Sequence, residues 1–178
     1  MMRLVPSKLT RFWRGQAGNA TVEFVIVFPV FLTLFLFSLE LAIITLRHTM
    51  LERGLDIAVR ELRLGTGSAP QHDEIKQIIC DNAMIIASCE STLRLEMVRT
   101  NIRTLGSLPD DVNCVDQSEE AAPVRSFQNG QQNELMLLRA CVKYSPLLPG
   151  MDLAQALDKD GAGQVAIVSK TAFVQEPL

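Results

Sequence analysis

Few residues in this chain have types and spacings suited to covalent or ligating chemistry. The four cysteines, Cys80, Cys89, Cys114 and Cys141, contain no C-x-x-C spacing, and the two histidines, His48 and His72, stand near no cysteine pair. Zinc binding and thioredoxin-type exchange need closer clustering, so an even cysteine count reads as structural disulfides in an oxidising compartment. His72 stands beside Asp73 early in a helical pattern, where a solvated capping role outweighs that of a general base. Ser145 and Ser169 have no nucleophile motif around them, and the acid pairs Asp110-Asp111 and Glu119-Glu120 fall in polar loops. Catalysis requires a converging nucleophile, base and orienting group. The expectation is a non-enzymatic protein with no metal, no cofactor and no small-molecule substrate.

Two carboxylates are notable for their surroundings. Glu23 stands at the head of an apolar run, and Glu40 is the single charge within residues 24–46. As a helix rising about 1.5 Å per residue, that run covers roughly 34 Å, enough for a hydrocarbon core of about 30 Å. Its 17 Phe, Leu, Ile and Val residues set the balance. They contribute on the order of −5 to −10 kcal/mol to insertion, against about 3 kcal/mol for one acid. Insertion wins.

Arg3, Lys8, Arg11 and Arg14 precede the run without an acid, a charge of +4 over residues 1–18; the remainder carries 13 basic and 20 acidic residues, a charge of −7. Basic residues stay on the cytoplasmic side. The expectation is therefore a single-pass inner-membrane protein with a cytoplasmic N-terminus and a periplasmic C-terminal domain. The acidic remainder leaves no basic stripe to follow a phosphate backbone, which excludes nucleic acid as a partner.

A cleaved secretory signal would carry a shorter apolar core with small residues after it. Here the small residues Gly15, Ala17, Gly18, Asn19 and Ala20 come before the core, and Arg47-His48-Thr49-Met50 follows it. Cleavage after Gly18 would make Asn19 the first residue and place Glu23 and Phe24 fifth and sixth. This arrangement resembles the prepilin sites of the tight-adherence (Tad/Flp) branch of type IV pili. Phe24-Val25-Ile26-Val27-Phe28-Pro29-Val30-Phe31 continues the likeness to the TadE/TadF-like minor pilins, or pseudopilins. The likeness extends more faintly to residues 51–61 and to Ile79-Cys80-Asp81, and the aromatic–proline pair leans towards TadF.

The resemblance implies processing by a prepilin peptidase, with other pilins and the Tad membrane platform as partners. It also implies that Glu23 pairs with the N-terminal amine of a neighbouring subunit. From the residues alone, a helix N-terminus would favour the same carboxylate. Glu40 reads either as an interfacial residue or, with Ser38 and Thr45, as a helix–helix contact to a partner subunit. Pro29 removes one helical hydrogen bond and predicts a kink.

The elements that position these residues follow from periodicity. Leu51, Leu55, Ala58 and Leu62 recur at helical spacing until Gly65-Thr66-Gly67 stops the pattern, so one helix is expected over about 20–64. Pro70, Asp73 and Glu74 open a second helix, with Ile75, Ile78, Ile79, Ala83 and Ile86 as its buried stripe. Strand-like runs follow at 92–100, 135–144 and 164–174, separated by polar loops, with some helix around Leu153 and Leu157. The fold class expected is α+β, a small antiparallel sheet packed on helices.

Four cysteines allow three pairings, of which Cys80–Cys89 with Cys114–Cys141 is favoured. In an unbroken helix the first pair would lie about 13 Å apart, so this pairing requires the helix to end near Ala87 or Ser88. The expected organisation is a basic leader over 1–18, a membrane-spanning and extended amphipathic helix over 19–64, and a disulfide-bonded head over 65–178. An anchored periplasmic ligand-binding or enzymatic domain is the alternative. A sensor is disfavoured, since about 20 cytoplasmic residues are too few for an output domain.

Overall fold

The computed structural model describes residues 19–64, 70–103, 114, 127–150 and 152–176. The leader, Gly18, Gly65-Thr66-Gly67, Asp110-Asp111 and Glu119-Glu120 lie outside them. The chain forms a long apolar N-terminal helix, shorter helices and a three-stranded antiparallel sheet, an α+β fold as expected.

Helix α1 runs from Asn19 to Leu64 and continues through Pro29. Ala20–Leu64 is long and apolar enough to cross a membrane. Polar side chains in its apolar stretch bond back to their own helix: Thr33 Oγ1 donates to the Pro29 carbonyl at 2.7 Å, Ser38 Oγ to Phe35 and Thr45 Oγ1 to Leu41. Ser38 and Thr45 thus donate their hydroxyl hydrogens within their own helix. Such back-bonding lowers the cost of a hydroxyl in lipid.

The chain divides into two compact units, Met1–Leu39 and Glu40–Leu178. Of the first, only residues 19–39 are described, and there the apolar side chains face outward: Phe24, Val25, Ile26, Phe31 and Leu34 are all more than half exposed. The stacked pair Phe24 and Phe28, centroids 4.8 Å apart, comes from their spacing of four along the helix.

In the second unit the helical repeat becomes core. Leu51, Leu55, Ala58 and Leu62 are buried, and Ile44 packs against the same cluster. Helix α2 spans His72–Asn82, opened by the Glu74 carboxylate, which accepts the Gln71 backbone N–H at 2.9 Å. It ends five residues or more before the expected turn at Ala87 or Ser88. The Asn82 amide bonds the Ile78 carbonyl, and the backbone N–H of Ala83 bonds that of Cys80. The chain then turns through Ser88, in the left-handed region at φ 54°, into the short helix α3, Cys89–Thr92. Cys80 and Cys89 are disulfide-bonded across this turn, with Cα atoms 5.6 Å apart.

Strands β1 (Arg94–Thr100), β2 (Leu135–Tyr144) and β3 (Val165–Val174) pair in the order β1-β2-β3, all antiparallel. Between the last two lies the one-turn helix α4, Asp152–Gln155. The register sets Leu95 against Ala140 and Met97 against Leu138, so one face of the sheet joins the helical core. The central strand β2 is buried on both faces: Met136, Leu138, Ala140 and Val142 on one, Leu137, Arg139 and Cys141 on the other. Cys141 is bonded to Cys114. A Cβ on Gly54 would stand 2.7 Å from the Ile79 carbonyl oxygen, so the backbones of α1 and α2 approach closely at this position.

Candidate functional site

The processing segment expected from the sequence falls at the start of α1. Gly18 is outside the described residues, and Asn19, the first described residue, is helical. Glu23 and Phe24 lie one turn into the helix, both exposed, and among the described residues Glu23 has no hydrogen-bond or ion-pair partner.

Glu40 is the acid whose surroundings the sequence did not reveal. It is 2% exposed, and both its oxygens accept backbone N–H groups of its own chain, Oε1 from Leu147 at 3.0 Å and Oε2 from Leu148 at 3.2 Å. These donors lie in the turn that follows β2. Two amides on one carboxylate replace the water it loses, which is how a buried charge is tolerated without a cationic partner. The sequence did not foresee this internal contact with residues 147 and 148.

Beside it, the Arg47 guanidinium lies over the Tyr144 ring, 4.8 Å from the centroid, and donates to the Ser145 carbonyl at 3.5 Å. Burial, aided by the Glu40 charge and opposed by Arg47, pushes the Tyr144 hydroxyl above its ordinary range. Arg47, Tyr144, Ser88, Thr92 and Gln164 line a cleft of about 300 Å³, and Gln164 Oε1 is buried with no hydrogen-bond partner among the described residues.

The remaining chemistry-bearing residues are placed apart from this cluster. His72 is the first residue of α2, with Nδ1 2.9 Å from Asp73 Oδ1 and its ring edge-on to Phe127. That hydrogen bond, and the charge of His72, hold the Asp73 carboxyl below its usual range. The cap is formed by Glu74 instead of His72. His48 bonds the Val168 carbonyl of β3 and lies 3.6 Å from Glu52. Among the described residues no group of His, Cys, Asp and Glu could hold a metal ion. Sequence reasoning also missed Arg139, 4% exposed and 3.5 Å from Glu96 across the β1–β2 ladder. Its one available signal was a cation midway along a mostly apolar strand.

Residues 18–60 match the family model described as TadE-like protein. This segment is similar to that family. The match bears out the TadE/TadF-like resemblance of the acid–aromatic segment. The TadE-like segment begins at Gly18, takes in Glu23, Phe24 and Glu40, and ends within the buried helical repeat of the second unit. No curated protein and no solved structure matches the chain.

Proposed function

We propose that this chain is a minor pilin-like subunit, a pseudopilin, of a Tad/Flp-type pilus, acting in assembly without catalysing a reaction. The observation that carries the reading is where the TadE-like match falls. It starts at the glycine of the proposed site and follows the acid–aromatic pair into an apolar helix. In this reading residues 1–18 are a basic leader on the cytoplasmic side, a prepilin peptidase cuts between Gly18 and Asn19, and residues 65–178 belong to a periplasmic head. The two disulfides fit an oxidising compartment. Helix α1, long and apolar enough to cross the inner membrane, supports the anchor.

Cleavage gives Asn19 a free ammonium, and Glu23 on a neighbouring subunit offers it an unpartnered carboxylate. In lipid such a pair replaces two costly charges by one neutral contact. Other pilins and the Tad membrane platform are the partners this chemistry fits.

Intact-mass and N-terminal sequencing of the membrane-extracted protein test the reading. A chain that begins at Asn19 is expected, and Gly18→Leu should retain residues 1–18. A native chain that begins at Met1 would overturn it.

A further inference from the structure

The cleft beside Arg47 and Tyr144 is lined wholly from the second unit, Glu40–Leu178. Separate segments supply its polar groups: Arg47 from α1, Ser88 from the turn into α3, Tyr144 from the end of β2 and Gln164 from just before β3. The Arg47 guanidinium meets no carboxylate among the described residues, and its 3.5 Å contact with the Ser145 carbonyl uses one donor. Its face rests on the Tyr144 ring, whereas the five N–H groups of a guanidinium lie at its edge. The Ser88 and Tyr144 hydroxyls have no hydrogen-bond partner among the described residues, and Gln164 Oε1 is buried without one. The other lining cation, Lys143, is held by Asp160 at 2.6 Å. Glu40 is occupied by two backbone amides, and among the described residues no acid lines the cleft.

These groups define one kind of ligand. A planar cation without a paired acid suits one carboxylate, which a guanidinium holds by two parallel bonds. A free amino acid would bring an ammonium to a wall that holds two cations and no acid. Hydroxyls both donate and accept, so they match the Ser88 and Tyr144 hydroxyls and both ends of the Gln164 amide. A volume of about 300 Å³ is at the small end for ligand clefts, room for one monosaccharide-sized ring, and Ile86 and Ile167 offer its C–H groups an apolar wall. We propose that this cleft binds a small hydroxylated carboxylate, a sugar acid of the uronate class, with its carboxylate on Arg47 and its hydroxyls on Ser88, Tyr144 and Gln164. A buried amide oxygen left without a donor then gains one on binding.

Amide NMR of the full chain, held in an uncharged polyoxyethylene detergent without sugar headgroups, tests this with D-glucuronate, D-glucose and acetate. D-Glucuronate should move the Ser88, Thr92 and Gln164 amide signals saturably with a Kd of about 1 mM, while the exposed Ile102 stays in place. D-Glucose lacks the carboxylate and acetate lacks the hydroxyls, so each should bind about tenfold or more weakly. Arg47→Gln should weaken D-glucuronate about tenfold or more. Ser88→Gly removes a hydroxyl at a left-handed position that glycine prefers, so it should keep the fold and weaken binding about threefold.

Absence of a saturable shift by about 100 mM D-glucuronate overturns the proposal. Equal binding of acetate would leave only an adventitious ion at Arg47, and equal binding of D-glucose would remove the carboxylate contact; either outcome refutes the assignment to a sugar acid. Affinity for D-glucuronate unchanged in both Arg47→Gln and Ser88→Gly would put the bound molecule elsewhere and refute this site. Should Arg47→Gln fail to fold, Ser88→Gly with the three ligands decides alone.

Discussion

At the scale of single residues, charge placement governs the molecule. Glu40 is buried and satisfied by two backbone amides, and removing it strands both. Glu40→Ala is expected to cost about 2–3 kcal/mol, and Glu40→Gln somewhat less because one carbonyl oxygen remains as acceptor. Denaturant melts of the detergent-solubilised chain measure both. Tyr144 gives a pH signature. Its raised folded-state value means the fold holds the neutral phenol after the unfolded chain has begun to ionise near 10. Its stability contribution is therefore complete below about 10 and is lost as pH rises through the folded value. Tyr144→Phe should flatten the alkaline loss of stability seen in melts between neutral pH and about 11.

At the scale of elements, the decisive contacts are close approaches and covalent ties. α1 meets α2 at Gly54, where a Cβ would press on the Ile79 carbonyl at 2.7 Å and on its Cγ2 at 3.2 Å. Alanine gains about 1 kcal/mol in helix propensity over glycine, yet overpacking against backbone costs about 1–3 kcal/mol. Gly54→Ala should thus be neutral to destabilising by up to about 2 kcal/mol, with Gly54→Val clearly worse, in the same melts. The disulfide at the end of α2 and the one from β2 act on the elements the sequence could not terminate or cover by itself. Cys80–Cys89 closes the turn beyond Asn82, and Cys114–Cys141 holds a residue of the long β1–β2 connection to the central strand.

At the scale of the whole molecule, the proposed reading makes the chain an anchored, exported subunit whose orientation charge would set. Exchanging Arg3, Lys8, Arg11 and Arg14 for Glu should reverse or abolish that orientation. The four cysteines would then stay in the reducing compartment and react with a thiol-alkylating mass tag without prior reduction, whereas those of the native chain should not. Tag addition seen on gel mobility reads the outcome. A native-like block to alkylation in the charge-reversed chain would show that the leader does not set topology.

Much of this architecture was legible in the residues alone, because it depends on properties with a local period. The apolar run needs only composition and length. The buried helical repeat through Leu51, Leu55, Ala58 and Leu62 needs only spacing, and β2 was bounded correctly by its apolar content. The TadE-like segment was legible for the same reason, being one contiguous stretch.

Tertiary structure alone decided what joins distant positions. Glu40 finds its donors 107 and 108 residues away, and side chain-to-backbone pairing leaves no periodic trace in sequence. The early end of α2 came from the Asn82 and Ala83 hydrogen bonds to the last turn, which compete with the apolar stripe that continues to Ile86. Arg139 is buried because β2 is covered on both faces, a consequence of what packs above the sheet and not of the strand itself. Periodicity declares which face of an element is apolar; only the folded chain determines which polar groups it brings together there.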